Sequence, residues 1–112
     1  MLKESDFLKP NFKTMTLKIE VNGKKEEIIL AQMSPYEMGQ HATFIAKKGN
    51  ENLEIASYVA RSIVDENGDR VIQDKNIKQF AKCYAADTLL YILDAATTLN
   101  GHVPDDEDKK KG

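Results

Sequence analysis

The chain has 112 residues, 41% of them apolar and 30% charged, with a formal net charge of -2. That length suits one domain with a core that needs neither disulfides nor metal, and the charge balance argues against a generic nucleic-acid binder. Its cations are 14 lysines and only two arginines, Arg61 and Arg70, which further disfavours bidentate recognition of phosphate or guanine.

A single cysteine, Cys83, leaves no partner for an intramolecular disulfide or a cysteine-based zinc site, and suits a reducing cytoplasm. The opening MLKESDFLKPNFK lacks the apolar core of a secretory signal, and no apolar run is long enough to cross a membrane. Neither nucleic acid nor membrane is therefore expected as a partner, and no cofactor is expected.

Residues 1–14 read as an extended arm, interrupted by Pro10, with Phe7 and Leu8 available to dock on a domain spanning 15–101. The clearest local signal follows in TLKIEVNGKKEEIIL. Asn22-Gly23 suits a type I′ turn between two β-prone runs. In that register Lys18 faces Glu27 and Glu20 faces Lys25, both favourable cross-strand pairs. Leu17, Ile19, Val21, Ile28 and Leu30 then share one face. A lone hairpin is marginal, so helices or another chain must cover that face.

SPYEMGQHATFIAKKG carries a helix start: Ser34 as cap, Pro35 at the first helical position and Glu37 completing a capping box. Met38, Ala42 and Ile45 form a stripe, and Gly49 ends the helix. A second helix is expected from Asn50 as cap, with Leu53, Ala56, Ala60 and Ile63 at helical spacing. The short linker makes these two helices a hairpin. Asp74 is expected to cap the next helical region. Its two apolar patches, Ile77 to Ala81 and Leu89 to Leu99, are out of phase near Lys82–Ala86, which fits either one kinked helix or two in succession. Gly101 closes the region, Pro104 forbids its continuation, and residues 102–112 form a charged, disordered tail. The fold class expected is α+β, mostly α: an N-terminal β-hairpin, three to four helices, and a short turn or mini-hairpin at 64–72.

That last stretch, SIVDENGDRVIQDKN, has four acidic residues and two asparagines around a glycine, and invites a calcium reading. An EF-hand frame starting at Asp65 puts Arg70 where glycine is required and Asn76 where the bidentate glutamate belongs. Sliding the frame to place Gly68 correctly puts Ile63 at the first ligand position. The stretch reads better as a polar turn tipped by Asn67-Gly68. His41 and Cys83 could in principle form a catalytic pair, but nothing places them together, and such a cysteine is more often a small core residue. No phosphate-binding glycine loop or nucleophile elbow is present. Met33, Met38 and Tyr36 read as core rather than as an adaptable partner surface.

The order of these elements resembles the tail assembly chaperones of long-tailed bacteriophages and prophages. ARSIVDENGDRVIQDKNIKQF and ILDAATTLNG carry the resemblance, which spans residues 15–101. It implies a non-catalytic protein of the host bacterial cytoplasm that binds the tape measure protein, recruits tail tube subunits and is absent from the mature virion. It further implies a frameshifted longer form, for which the codons of KKKG at 109–112 are the candidate slippery site. Two partner surfaces are expected. One is the hairpin with its arm (Phe7, Leu17, Ile19, Ile28, Leu30), whose open edge could extend a sheet or self-associate. The other is the exposed side of the last helix around Tyr84, Tyr91 and the tail. The rival readings are a structural head–tail connector or tail terminator, which stays in the virion, and a small DNA-binding regulator using Lys75, Lys78 and Lys82.

Overall fold

In the computed structural model, which describes residues 1–101, the hairpin forms in the register its charges dictate. Strands β1 (Thr14–Val21) and β2 (Lys24–Ala31) pair antiparallel, with Lys18 opposite Glu27 and Glu20 opposite Lys25. Asn22 and Gly23 both take positive φ, 53° and 81°, as the tight turn demands. Ile19 still faces Glu26, as the two-residue loop requires. This pairing lies near the hairpin tip, where the Glu26 carboxylate remains in solvent.

A third strand, β3 (Ile63–Val64), adds antiparallel to β2 at Leu30 and Ile29, giving the order β1-β2-β3. Helices α2 (Pro35–Ala46), α3 (Glu54–Ser62), α4 (Ile77–Cys83) and α5 (Ala86–Leu99) make up the rest. The apolar region that allowed one helix or two is two helices, broken at Tyr84 and Ala85, whose backbones are extended. The stretch at 64–72 is a mini-hairpin closed by a Val64–Arg70 bridge.

Helix α3 is the centre of the molecule. It packs against α2, α4 and α5, and every residue from Ala56 to Ser62 is buried. Helix α5 crosses beneath β1 and β2, so Leu30, Val59, Ile77 and Ile92 meet in one core between sheet and helices. Ile19 and Leu30 are core residues, and Leu17 and Ile28 pack partly buried against them. The hairpin face expected to need a cover is covered by this chain's own helices.

Three helix starts differ from expectation, each because a polar side chain has a tertiary or local partner. Asn50 does not open α3; its Nδ2 donates to the Phe44 carbonyl at 2.9 Å and closes α2 instead. The capping box at α2 is half formed. Ser34 Oγ accepts from the Glu37 N–H at 3.1 Å, but the Glu37 carboxylate turns to Arg61. Asp74 likewise pairs with two arginines, and α4 is entered through a single 3₁₀ turn, Asp74–Asn76. Charged donors outcompete a neutral backbone N–H for a carboxylate.

The arm also differs. It carries one helical turn, α1 (Glu4–Phe7), held by the Lys3 N–H donating to the Asp6 carboxylate at 2.8 Å. Phe7 and Leu8 are not docked; they are 70% and 74% exposed.

The end of α5 is stitched to the sheet by one side chain. Asn100 Oδ1 accepts from the Met33 N–H at 2.7 Å, while its Nδ2 donates to Tyr58 Oη and to the Ala96 carbonyl. Gln32 Nε2 donates to the Leu99 carbonyl at 3.0 Å, and its Oε1 accepts from the Lys13 N–H. The Leu-Asn-Gly ending therefore ties α5 to α3, to the start of β1 and to the end of β2. His102, Pro104 and the lysine run lie outside the described residues.

Candidate functional site

A buried cation organises one end of the helices. Arg61 lies on the last turn of α3 with its side chain 1% exposed. One guanidinium nitrogen donates to Glu37 Oε1 at 2.8 Å, the other to Asp74 Oδ2 at 3.1 Å, and Nε donates to Ser57 Oγ at 3.1 Å. Its Cζ lies 5.7 Å from the Phe44 ring centroid. Arg70, on the mini-hairpin, shares Asp74 at 2.8 Å and donates to the Ile72 carbonyl. The cluster thus joins α2, α3, the mini-hairpin and the entry to α4. Partial burial pushes the Asp74 carboxyl up, but hydrogen bonds and charge from Arg70 and Arg61 together outweigh it and leave the group below its ordinary value.

His41 on α2 completes this network. Its Nδ1 lies 2.9 Å from Ser57 Oγ, and its ring meets Tyr58 edge-on. Ser57 Oγ accepts from Arg61 and keeps its own proton to donate, so it can serve Nδ1 of a neutral imidazole that carries its proton on Nε2. Burial lowers the His41 pKa first, the Arg61 charge lowers it further, and Glu54 pulls weakly the other way. Below the ordinary imidazole value of 6.5, the unfolded chain takes up a proton that the folded chain resists. Stability attributable to neutral His41 is therefore complete above that value, declines as pH falls through it, and levels off below the folded pKa. Thermal melts between about pH 7.5 and about pH 5 should show the midpoint falling, and His41→Gln should flatten that slope. An unchanged slope in the variant would locate the titration elsewhere. Cys83 is exposed at the end of α4, where it contacts Gln79, so the His41–Cys83 pairing has no geometric basis.

The acidic stretch is self-contained. Asp65 Oδ1 accepts from the Asn67 and Asp69 N–H groups at 2.9 and 3.0 Å, and Gly68 takes φ 84°. The Asp65 carboxylate is used to shape the turn.

The expected partner residues separate into two groups. Leu30 and Ile19 are buried inside the chain, and Leu17 and Ile28 are partly buried against them. Phe7 and Tyr91 are open, at 70% and 54% exposed, but on different elements, α1 and α5. Tyr84 is half-buried, 5.5 Å from the Phe80 ring, and lines a cleft of about 560 Å³ between the hairpin tip and α4. Tyr36, expected in the core, is 73% exposed, and sequence periodicity also missed the exposed apolar residues Ile55 on α3 and Leu90 on α5. Ile55 and Leu90 share a shallow cleft with Ala81, Ala86 and Leu89. The α3 stripe drew attention to Leu53 and Ala56, and Ile55 lies off it.

No family model and no curated protein sequence matches the chain. A solved structure does: that of the bacteriophage HK97 tail assembly chaperone, with a TM-score of 0.63, covering 81% of this chain and 84% of that one. The chain has the fold of a phage tail assembly chaperone. At 13% sequence identity the likeness is one of architecture, and it lies in the arrangement of hairpin and helices that the sequence resemblance implied. Among the described residues no helix is long and apolar enough to cross a membrane.

Proposed function

We propose that this protein is a tail assembly chaperone of a long-tailed bacteriophage or prophage. It acts without catalysis, by protein–protein contact in the host bacterial cytoplasm, and leaves before the virion is complete. Its partners are the tape measure protein, which it keeps soluble, and the tail tube subunits, which it recruits. The observation that carries this reading is the fold shared with the HK97 chaperone over 81% of the chain. The open apolar side chains on α1, α3 and α5 supply contact surface for such work. A longer form made by frameshifting near Lys109–Lys111 completes the proposal.

The test is co-expression with the tape measure protein encoded by the same phage, followed by fractionation and mass analysis of purified particles. Tape measure protein soluble only with this chain, and particles free of it, are the expected results. A chain retained in particles at a fixed copy number would make it a connector or terminator instead. Intact masses of the products of the native gene with its downstream DNA will show whether a longer form exists.

A further inference from the structure

Strand β1 is an edge. β2 is paired on both sides, but β1 has β2 on one side only. The phase of the ladder follows from the Gln32 N–H donating to the Lys13 carbonyl at 3.0 Å. In an antiparallel pair, hydrogen-bonded and non-hydrogen-bonded positions alternate. Met15, Leu17, Ile19 and Val21 therefore bond to β2, while Thr14, Thr16, Lys18 and Glu20 turn their N–H and C=O groups outward. Among the described residues no hydrogen bond reaches those outward groups. The same four side chains are exposed on the outer face.

An edge of this kind accepts another extended strand, and its charges decide which. When β1 meets a second β1 antiparallel, only registers that oppose outward positions make hydrogen bonds. Centring on Lys18 places lysine against lysine. Centring on Leu17 leaves Lys18 and Glu20 facing threonines. Centring on Ile19 places Lys18 of each copy opposite Glu20 of the other, two opposite-charge pairs by symmetry. On the inner face this register sets Ile19 against Ile19 and Leu17 against Val21, continuing the apolar layer. Tyr91, 54% exposed, lines a shallow cleft with Lys18, Ile19 and Glu20 and lies beside that seam.

We propose that β1 is a self-complementary edge through which two copies of this chain pair about a two-fold axis at Ile19, joining two three-stranded sheets into one. The partner is a second copy, chosen by the Lys18–Glu20 alternation. This inference stands apart from the chaperone reading, since it concerns the chain alone.

Sedimentation of the full chain tests it through two single variants and their mixture. Wild type should dimerise at concentrations up to about 1 mM. Lys18→Glu opposes glutamates at both pairs, and Glu20→Lys opposes lysines. Each alone should weaken association about tenfold or more. An equimolar mixture restores both opposite-charge pairs between unlike chains, so heterodimers should form with near wild-type affinity. Recovery in the mixture cannot come from altered pairing with Glu27 or Lys25 within each chain, because those contacts are unchanged by mixing. A wild type that stays monomeric, variants that dimerise as well as wild type, or a mixture that does not recover would each overturn the proposal. Amide hydrogen exchange of the wild type supplies a check that needs no folded variant. Protection at Lys18 and Glu20 should rise with concentration while Thr14 continues to exchange. Protection that includes Thr14, or none at Lys18, would rule out the Ile19-centred pairing.

Discussion

Replacing Arg61 with methionine should lower the stability of the chain by about 2–4 kcal/mol. The guanidinium is 1% exposed and bonds Glu37, Asp74 and Ser57, which come from three parts of the chain. Methionine fills much of the volume, so packing loss is small. What is lost is the charge-assisted bonding, and what is left is Glu37 without its closest donor and Asp74 held by Arg70 alone. Removing one member of a fully buried pair costs about 3–5 kcal/mol. Here Glu37 and Asp74 are 27% and 47% exposed, so water meets part of their need and the expected loss is smaller. Arg61→Lys should recover only part of it, because a point charge cannot serve three acceptors in the plane of a fork. Urea unfolding with an unchanged slope measures the effect. A shift below about 0.5 kcal/mol for Arg61→Met would mean that Arg70 holds the cluster alone.

The same residue shows where sequence reasoning stops. Its acidic partners lie 24 and 13 residues away, and no periodicity links them. A lone arginine among Ala60, Ser62 and Ile63 reads as the solvent side of an amphipathic helix. In the structure that side faces α2 and the mini-hairpin, and Ser57 and Ser62 are buried with it. Helix borders failed for a related reason. Asn50, Asp74 and Glu37 are sound capping residues by local chemistry, and each is diverted to a better partner. The hairpin succeeded because its information is local: a two-residue turn fixes the phase, and the register sets Lys18 opposite Glu27 and Glu20 opposite Lys25. The same locality made the polar turn tipped by Asn67-Gly68 legible. What covers the hairpin face was not legible, since Leu17, Ile19 and Leu30 look alike whether the cover is α5 or another protein.

That ambiguity yields the second large prediction. Leu30, on β2, is fully buried, with Val59 and Ile92 in the same core. Leu30→Ala should therefore cost the isolated chain about 2–5 kcal/mol, the sum of lost transfer energy and the cavity left behind. A domain of this size has about 5–15 kcal/mol in total, so the midpoint should fall by about 10 °C or more. Phe7→Ala and Tyr91→Ala, at exposed positions, should each stay within about 0.5 kcal/mol of wild type. The contrast assigns roles. Were Leu30 a contact for another protein, its truncation would spare the free chain and weaken only the complex. A large loss in the free chain makes Leu30 part of what holds the hairpin on its helices. The surface left for partners is then the β1 edge and the exposed side chains of α1, α3 and α5, and it is on Tyr91, Ile55 and Leu90 that binding variants should be made. A Leu30→Ala chain as stable as wild type would mean that the sheet is loosely held on the helices, and that its inner face can open to receive a partner.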